Sequence, residues 1–213
     1  MAGTASPAPR DRTARRPVAA ALPSRRPSAR ERILTTATAL FDTHGIRGVG
    51  VDRIIAESGV AKATLYAHFR AKDDLVLAYL RETDRNWRDI LRGAAAAAGE
   101  DPRDQLLGLF DALRECTLRD GFRGCPFIKT AGESTPGSAV HTATVEHKQA
   151  VRDWLTELTA AAGAADPRLL ALQLAALVDG VMAAAALEPV AAVPDAAREA
   201  ARVLVERACP ARD

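Results

Sequence analysis

Cysteine and aromatic side chains are scarce in this 213-residue chain, with three Cys and 4% Phe, Trp and Tyr. Cys116, Cys125 and Cys209 cannot complete a disulfide framework and show no C-x-x-C spacing, which points to a reducing, cytoplasmic setting. No run of eighteen apolar residues occurs, so no membrane partner is expected. Also missing are H-E-x-x-H, G-x-S-x-G, P-loop and G-x-G-x-x-G patterns. His141 and His147 are six residues apart, about 240° round a helix, and so do not share a metal-binding face. No metal, no cofactor and no catalysis are expected. The surviving enzymatic alternative is a Cys-dependent one, with Cys125 as nucleophile and His141 or His147 as base. What the chain has in excess is alanine, at 46 residues, together with 48% hydrophobic and 26% charged residues. Alanine is the best helix former and a weak strand former, so an all-β fold is excluded and a helical one favoured. The length suits one to two small domains.

The formal charge of +2 hides an uneven distribution. Residues 1–30 hold seven Arg and one Asp, residues 31–72 six basic and four acidic side chains, and residues 73–213 sixteen basic and twenty-two acidic. A basic front on an acidic body suits a chain whose one end meets a polyanion. A general DNA-coating protein, the other alternative, would be basic throughout. Residues 1–28 contain five prolines and no helical periodicity, and read as a disordered basic arm, either idle or adding nonspecific phosphate contacts. The arm lacks the apolar core of a secretory signal, and prolines break the amphipathicity a transit peptide needs.

From Ser28 onward the pattern is helical. Ile33, Leu34, Ala37, Leu40 and Phe41 share one face, Ser28 and Glu31 form a capping box, and His44-Gly45 closes the segment. Residues 51–58 and 62–69 are two short helices joined through Gly59-Val60-Ala61, with Val51, Ile54, Ile55, Leu65 and Phe69 turned inward. Gly59 supplies the left-handed backbone that such a turn requires, and Val60 plugs the angle between the helices. Lys62, Thr64, Tyr66 and His68 occupy the outer face of the second helix, a donor-rich surface suited to phosphates and base edges. Lys72 opens a longer helix to about Arg92, where backbone N–H groups also favour a phosphate. Read alone, Lys62, Arg53 and Lys72 are equally ordinary solvated charges, Tyr66 a half-buried core ring, and His44 a helix-end cation. Gly93 to Pro102 reads as a connection or frayed end. Further helices are expected over 103–119, 126–134, 139–162, 167–187 and 194–208.

Residues 30–80, RERILTTATALFDTHGIRGVGVDRIIAESGVAKATLYAHFRAKDDLVLAYL, resemble the DNA-binding domain of TetR-type transcriptional regulators. The resemblance rests on the LF…HG end of the first helix, the IIAESGVAKATLYAHF helix-turn-helix and the K-x-x-L opening of the fourth helix. It implies an all-α protein with an N-terminal helix-turn-helix domain (29–75) and a C-terminal ligand-binding and dimerisation domain (76–213). Such a homodimeric repressor binds a palindromic operator and releases it when a small effector binds. Lys62, Ala63 and Thr64 match positions that meet bases or phosphates, Tyr66 and His68 positions that touch the backbone, and Lys72 the phosphate contact of helix four. The family usually has Thr or Ser where this chain has Val49 and Gly50. Arg47 and Arg53 lie close enough to compensate for that lost contact.

In the C-terminal domain, helix 167–187 is apolar nearly all round, and its Ala175, Ala176, Gly180 and Ala183 allow close approach of another helix. With Ala197, Ala201, Leu204 and Val205 of the last helix it suits a four-helix dimer seam, as the resemblance also implies. Asp179 within that surface needs a partner. Phe110, Leu113, Cys116, Phe122, Phe127, Trp154, Leu158 and Met182 suit either plain core or the lining of a pocket for an apolar or aromatic ligand. Cys125 falls at a helix N-cap ahead of Pro126, with Arg123 and Lys129 nearby, surroundings that favour thiolate chemistry. It therefore reads as an inert buried thiol or as an electrophile-sensing one, and is grouped with the ligand site.

Overall fold

The structure, a computed structural model, describes residues 26–188 and 190–210. Residues 1–25 of the basic arm lie outside them. Nine helices and no strand make up the described residues: α1 (Ala29–His44), α2 (Val51–Ser58), α3 (Lys62–His68), α4 (Lys72–Ala97), α5 (Pro102–Thr117), α6 (Pro126–Glu133), α7 (Ala139–Ala161), α8 (Pro167–Leu187) and α9 (Ala192–Ala208).

Local chemistry sets most of the boundaries. The Ser28 hydroxyl accepts from Glu31 N at 3.2 Å, while Ser28 N donates to the Glu31 carboxylate at 2.6 Å, completing the capping box of α1. Asp101, Ser138 and Asp166 cap α5, α7 and α8 through their side chains, and Pro102, Pro126 and Pro167 occupy first helical positions, where a missing N–H costs nothing. Gly59, at φ +65°, turns the chain from α2 into α3.

The head packs α1, α2 and α3 around Ile33, Phe41, Val49, Ile54, Val60 and Leu65, all buried. Val49, expected to mark a missing hydroxyl, is a fully buried core residue here, and Gly50 caps α2 without a side-chain bond. The fourth helix belongs to both parts of the molecule: Leu75, Val76 and Tyr79 close the head, and Leu91 and Ala95 reach the body. Its alanine run is helical to Ala97, and is not a connection. A Cβ on Gly108 of α5 would lie 2.6 Å from Ala98 Cβ and 3.1 Å from Ala94 O, so small residues on both helices permit a close crossing.

Body helices α5, α7, α8 and α9 share a core of Leu106, Phe110, Leu113, Leu155, Leu170, Leu174, Val181 and Ala201. Helix α8 is long and apolar enough to cross a membrane by length and composition, yet Leu170, Leu174, Val181 and Met182 are built into this core. Its other side carries Leu169, Leu172, Ala176, Gly180, Ala183 and Leu187, all exposed. On α9 the expected seam is corrected. Ala197, Ala201 and Val205 are buried within the chain and Leu204 is half-buried, because that apolar face of α9 packs on α5 and α8 of its own chain, with Arg198–Asp111 and Arg114–Asp195, each at 2.7 Å, at its edge. The exposed side of α9 instead presents Ala196, Val203 and an Arg202 paired with Glu199 and Glu206 at 2.5 Å.

Candidate functional site

Leu65 is buried beneath α3, so Lys62, Ala63 and Tyr66 share its outward face, with Thr64 half-buried and His68 exposed at the last position of the helix, off that face. Tyr66 is 43% exposed, large for an aromatic ring. Lys62 Nζ lies 3.5 Å from Asp52, both side chains well exposed, a pair that water or phosphate displaces at little cost. Lys72 is half-buried at the first position of α4, where the Asp74 carboxylate accepts from Ala71 N at 3.1 Å. The two compensating arginines are placed differently. Arg53 Nε donates to Glu57 at 2.7 Å on the surface of α2, with His44 Nε2 3.1 Å from its guanidinium. Arg47 instead turns to the body: its N–H donates to the Glu133 carboxylate at 2.7 Å and its Nε to Glu133 O at 2.6 Å.

Behind the head, α1, α4, α6, α7 and α8 surround a cavity of about 330 Å³. Cys116, Phe122, Cys125, Phe127 and Met182 line it, as a pocket reading of the sequence had them. Phe110 and Leu113 do not: they are sealed in the core, 1% and 0% exposed. Leu158 also lies away from this cavity, and Trp154 lines a separate small cleft with Arg88, Leu91 and Val151. Apolar periodicity marks all four as inward-facing but does not say which inward side meets a void. The lining also includes Thr38 and Asp42 of α1, Trp87 of α4 and the charged Lys148 and Arg152, none of which was expected there, and Asp179, expected on the dimer seam, lines the cavity instead. Asp179 has the partner its surroundings demand, Lys148 Nζ. Among the described residues no group of three metal-ligating side chains comes together.

Two structural links carry the cavity to the head. At its N-terminus α6 contributes Cys125 (the N-cap, buried), Pro126 and Phe127 to the wall, and at its C-terminus Glu133 grips Arg47. In the same helix Lys129 Nζ donates to Asp42 O at 2.9 Å, and Tyr79 OH donates to the Asp42 carboxylate at 2.5 Å, joining α6, α4 and α1. Burial and the Asp42 bond push the Tyr79 hydroxyl well above the ordinary tyrosine range, so it stays a donor. Cys116 is pushed up by burial.

The wall's far side is a stacked pair, Phe127 on His147, with centroids 3.4 Å apart and planes 6° from parallel. His147 is 4% exposed and its Nδ1 lies 2.6 Å from Asp84, which Arg88 also holds at 3.0 Å. Burial would raise the Asp84 carboxyl, but the bonds from His147 and Arg88 outweigh it and hold the group below its ordinary range. Burial holds His147 below its ordinary value, against the pull of Asp84, and Lys148 and Arg88 act in the same direction as burial. The unfolded chain therefore takes up a proton beneath about pH 6.5 that the native ring refuses, and stability falls as pH drops through that value. The melting temperature is expected to decline between about pH 7 and about pH 5, and His147→Gln to flatten the decline. An equal slope in that variant would show that this ring is not responsible.

Comparison with known proteins agrees with this geometry. Residues 33–79 match the model of bacterial regulatory proteins of the tetR family. A TetR-family transcriptional regulator from Streptomyces coelicolor, SCO4454, shares 36% identity and superposes with a TM-score of 0.78 over 85% of this chain and 96% of its own. A TetR transcriptional regulator from Chloroflexus aurantiacus shares 25% identity, with a TM-score of 0.73 over 83% and 93% of the two chains. The transcriptional regulator LmrA of Bacillus subtilis is 31% identical over 112 residues, half of this chain and 57% of LmrA. The outward α3 face, the all-helical body and these likenesses place this chain in the TetR family of DNA-binding transcriptional regulators.

Proposed function

We propose that this protein is a homodimeric repressor that holds a palindromic operator and releases it when a small apolar or aromatic effector fills the cavity behind the head. The observation that carries the reading is the course of α6, which begins in the cavity wall at Cys125 and ends on the head at Arg47. A ligand that favours a different seating of α6 moves the segment leading into α2, and release follows from its preference for that state. Dimerisation is supported by the exposed α8 stripe of Leu169, Leu172, Ala176, Gly180, Ala183 and Leu187. Unlike scattered surface apolar residues, this contiguous face belongs against a second copy. Two α3 helices then enter successive major grooves about 34–36 Å apart.

Thiol modification is a second route to the same release, favoured by the buried Cys125 lining the cavity at the N-terminus of α6. An adduct there occupies the effector volume.

Selecting bound DNA from a random pool tests the reading directly. A palindrome with half-sites about one helical turn apart is expected, bound by a species of twice the chain mass. Recovery of sequence-independent DNA, or a monomer in the complex, overturns it. Gel shifts of the recovered site after N-ethylmaleimide treatment test the thiol route, with release expected for the native protein and not for Cys125→Ser.

A further inference from the structure

The cavity wall is apolar but its charge is one-sided. Four cations, Arg123, Lys129, Lys148 and Arg152, line it against two carboxylates, Asp42 and Asp179. Both carboxylates are taken, Asp42 by the Tyr79 hydroxyl and Asp179 by Lys148. Lys129 is spent on a main-chain oxygen, and Arg123 is exposed at the rim. Arg152 differs from them. It sits one turn after Lys148 on the same face of α7, is half-buried, and has no carboxylate within ion-pair distance among the described residues. Salt and water screen such a guanidinium less than a surface one, and its planar fork matches a carboxylate. The apolar wall (Trp87, Phe122, Phe127, Met182) sets the rest of the guest.

Resting on the reading of this cavity as the effector site, we propose that the effector is an apolar or aromatic carboxylic acid, bound as its anion with the carboxylate on Arg152. A carboxylate gains a charge-assisted, two-pronged bond there, whereas a neutral isostere leaves the half-buried charge unanswered.

The test uses 2-naphthoate and its neutral counterpart 2-naphthamide as probes. The protein carries Trp154→Phe, which leaves Trp87, in the cavity wall, as its one indole. Saturable quenching of Trp87 by the acid, at least about tenfold tighter than by the amide, is expected, and Arg152→Gln should abolish the preference while Arg152→Lys retains part of it. Equal affinity for acid and amide, or a preference that survives Arg152→Gln, overturns the carboxylate assignment while leaving the cavity a ligand site. Quenching by neither probe overturns both. A second measurement, displacement of bound operator duplex, separates the readings the other way: acid binding without release keeps the ligand class and sinks the release mechanism.

Discussion

Replacing Lys62 and Tyr66 together by alanine is expected to lower affinity for the proposed operator by about a thousandfold while leaving the fold and the proposed dimer intact. Both side chains lie on the outward face of α3, Tyr66 at 43% exposure and Lys62 at 68% of its side chain, so neither contributes to the head's core. Among the described residues the lysine's only ion pair is the exposed, 3.5 Å contact with Asp52, of small energetic worth. Alanine is the best helix former, so the seven-residue α3 loses nothing in local propensity. In the proposed symmetric complex each deletion acts twice. Four lost contacts at about 1 kcal/mol or more amount to roughly 4 kcal/mol, which is the thousandfold. The salt dependence should weaken as well, by roughly 0.9 log units per log salt for each phosphate no longer neutralised. Gel-shift titrations at two salt concentrations, beside a thermal melt and sedimentation of the free protein, measure all three. Affinity within tenfold of the native value would move the DNA-reading surface off α3.

The features legible in the sequence were those fixed within a few residues of themselves. The Ser28–Glu31 box, the Gly59 turn and the proline starts of α6 and α8 depend on backbone chemistry at one place, and each has the geometry its residues dictate. Features that depend on what lies opposite were not legible. The alanines of residues 94–98 look like a loose connection between Gly93 and Gly99 until Gly108 is seen across from them. Ala197, Ala201 and Val205 form a plausible seam by periodicity, yet an apolar stripe does not say whether its own chain or a second copy covers it. The candidate site divides in the same way. Tyr66, four residues after Lys62, follows from helical spacing alone, whereas the cavity's charged wall joins Asp42, Lys148 and Asp179 from three different helices, and surface charges at helical spacing look alike. Arg47 is the clearest case: its neighbours in sequence are the DNA-reading helices, but its partner is 86 residues away.

That partner makes the second large effect calculable. Gly45 has φ +73°, and a Cβ built on it would lie 2.3 Å from the Glu133 Oε1. An alanine there meets two costs, about 1–3 kcal/mol of strain in a backbone conformation (φ +73°, ψ 166°) open essentially to glycine alone, and the displacement of a carboxylate that accepts the Arg47 N–H. Losing that charge-assisted bond costs about 1.5–3 kcal/mol more. For a chain of this length the sum corresponds to a melting temperature lowered by roughly 5–20 °C. Operator affinity should fall with it, since the segment freed from α6 leads into α2 and the spacing between two heads becomes less well defined. Glu133→Ala should cost only the bond. In the Glu133→Ala background Gly45→Ala should cost only the strain, because no carboxylate remains for the methyl group to displace. The double variant is therefore expected to be more stable than the two single changes predict by addition, a coupling measurable by thermal melts of the four proteins. Strict additivity would mean that a methyl group on Gly45 does not displace the Glu133 carboxylate, and that the Arg47 bond survives the Gly45→Ala change.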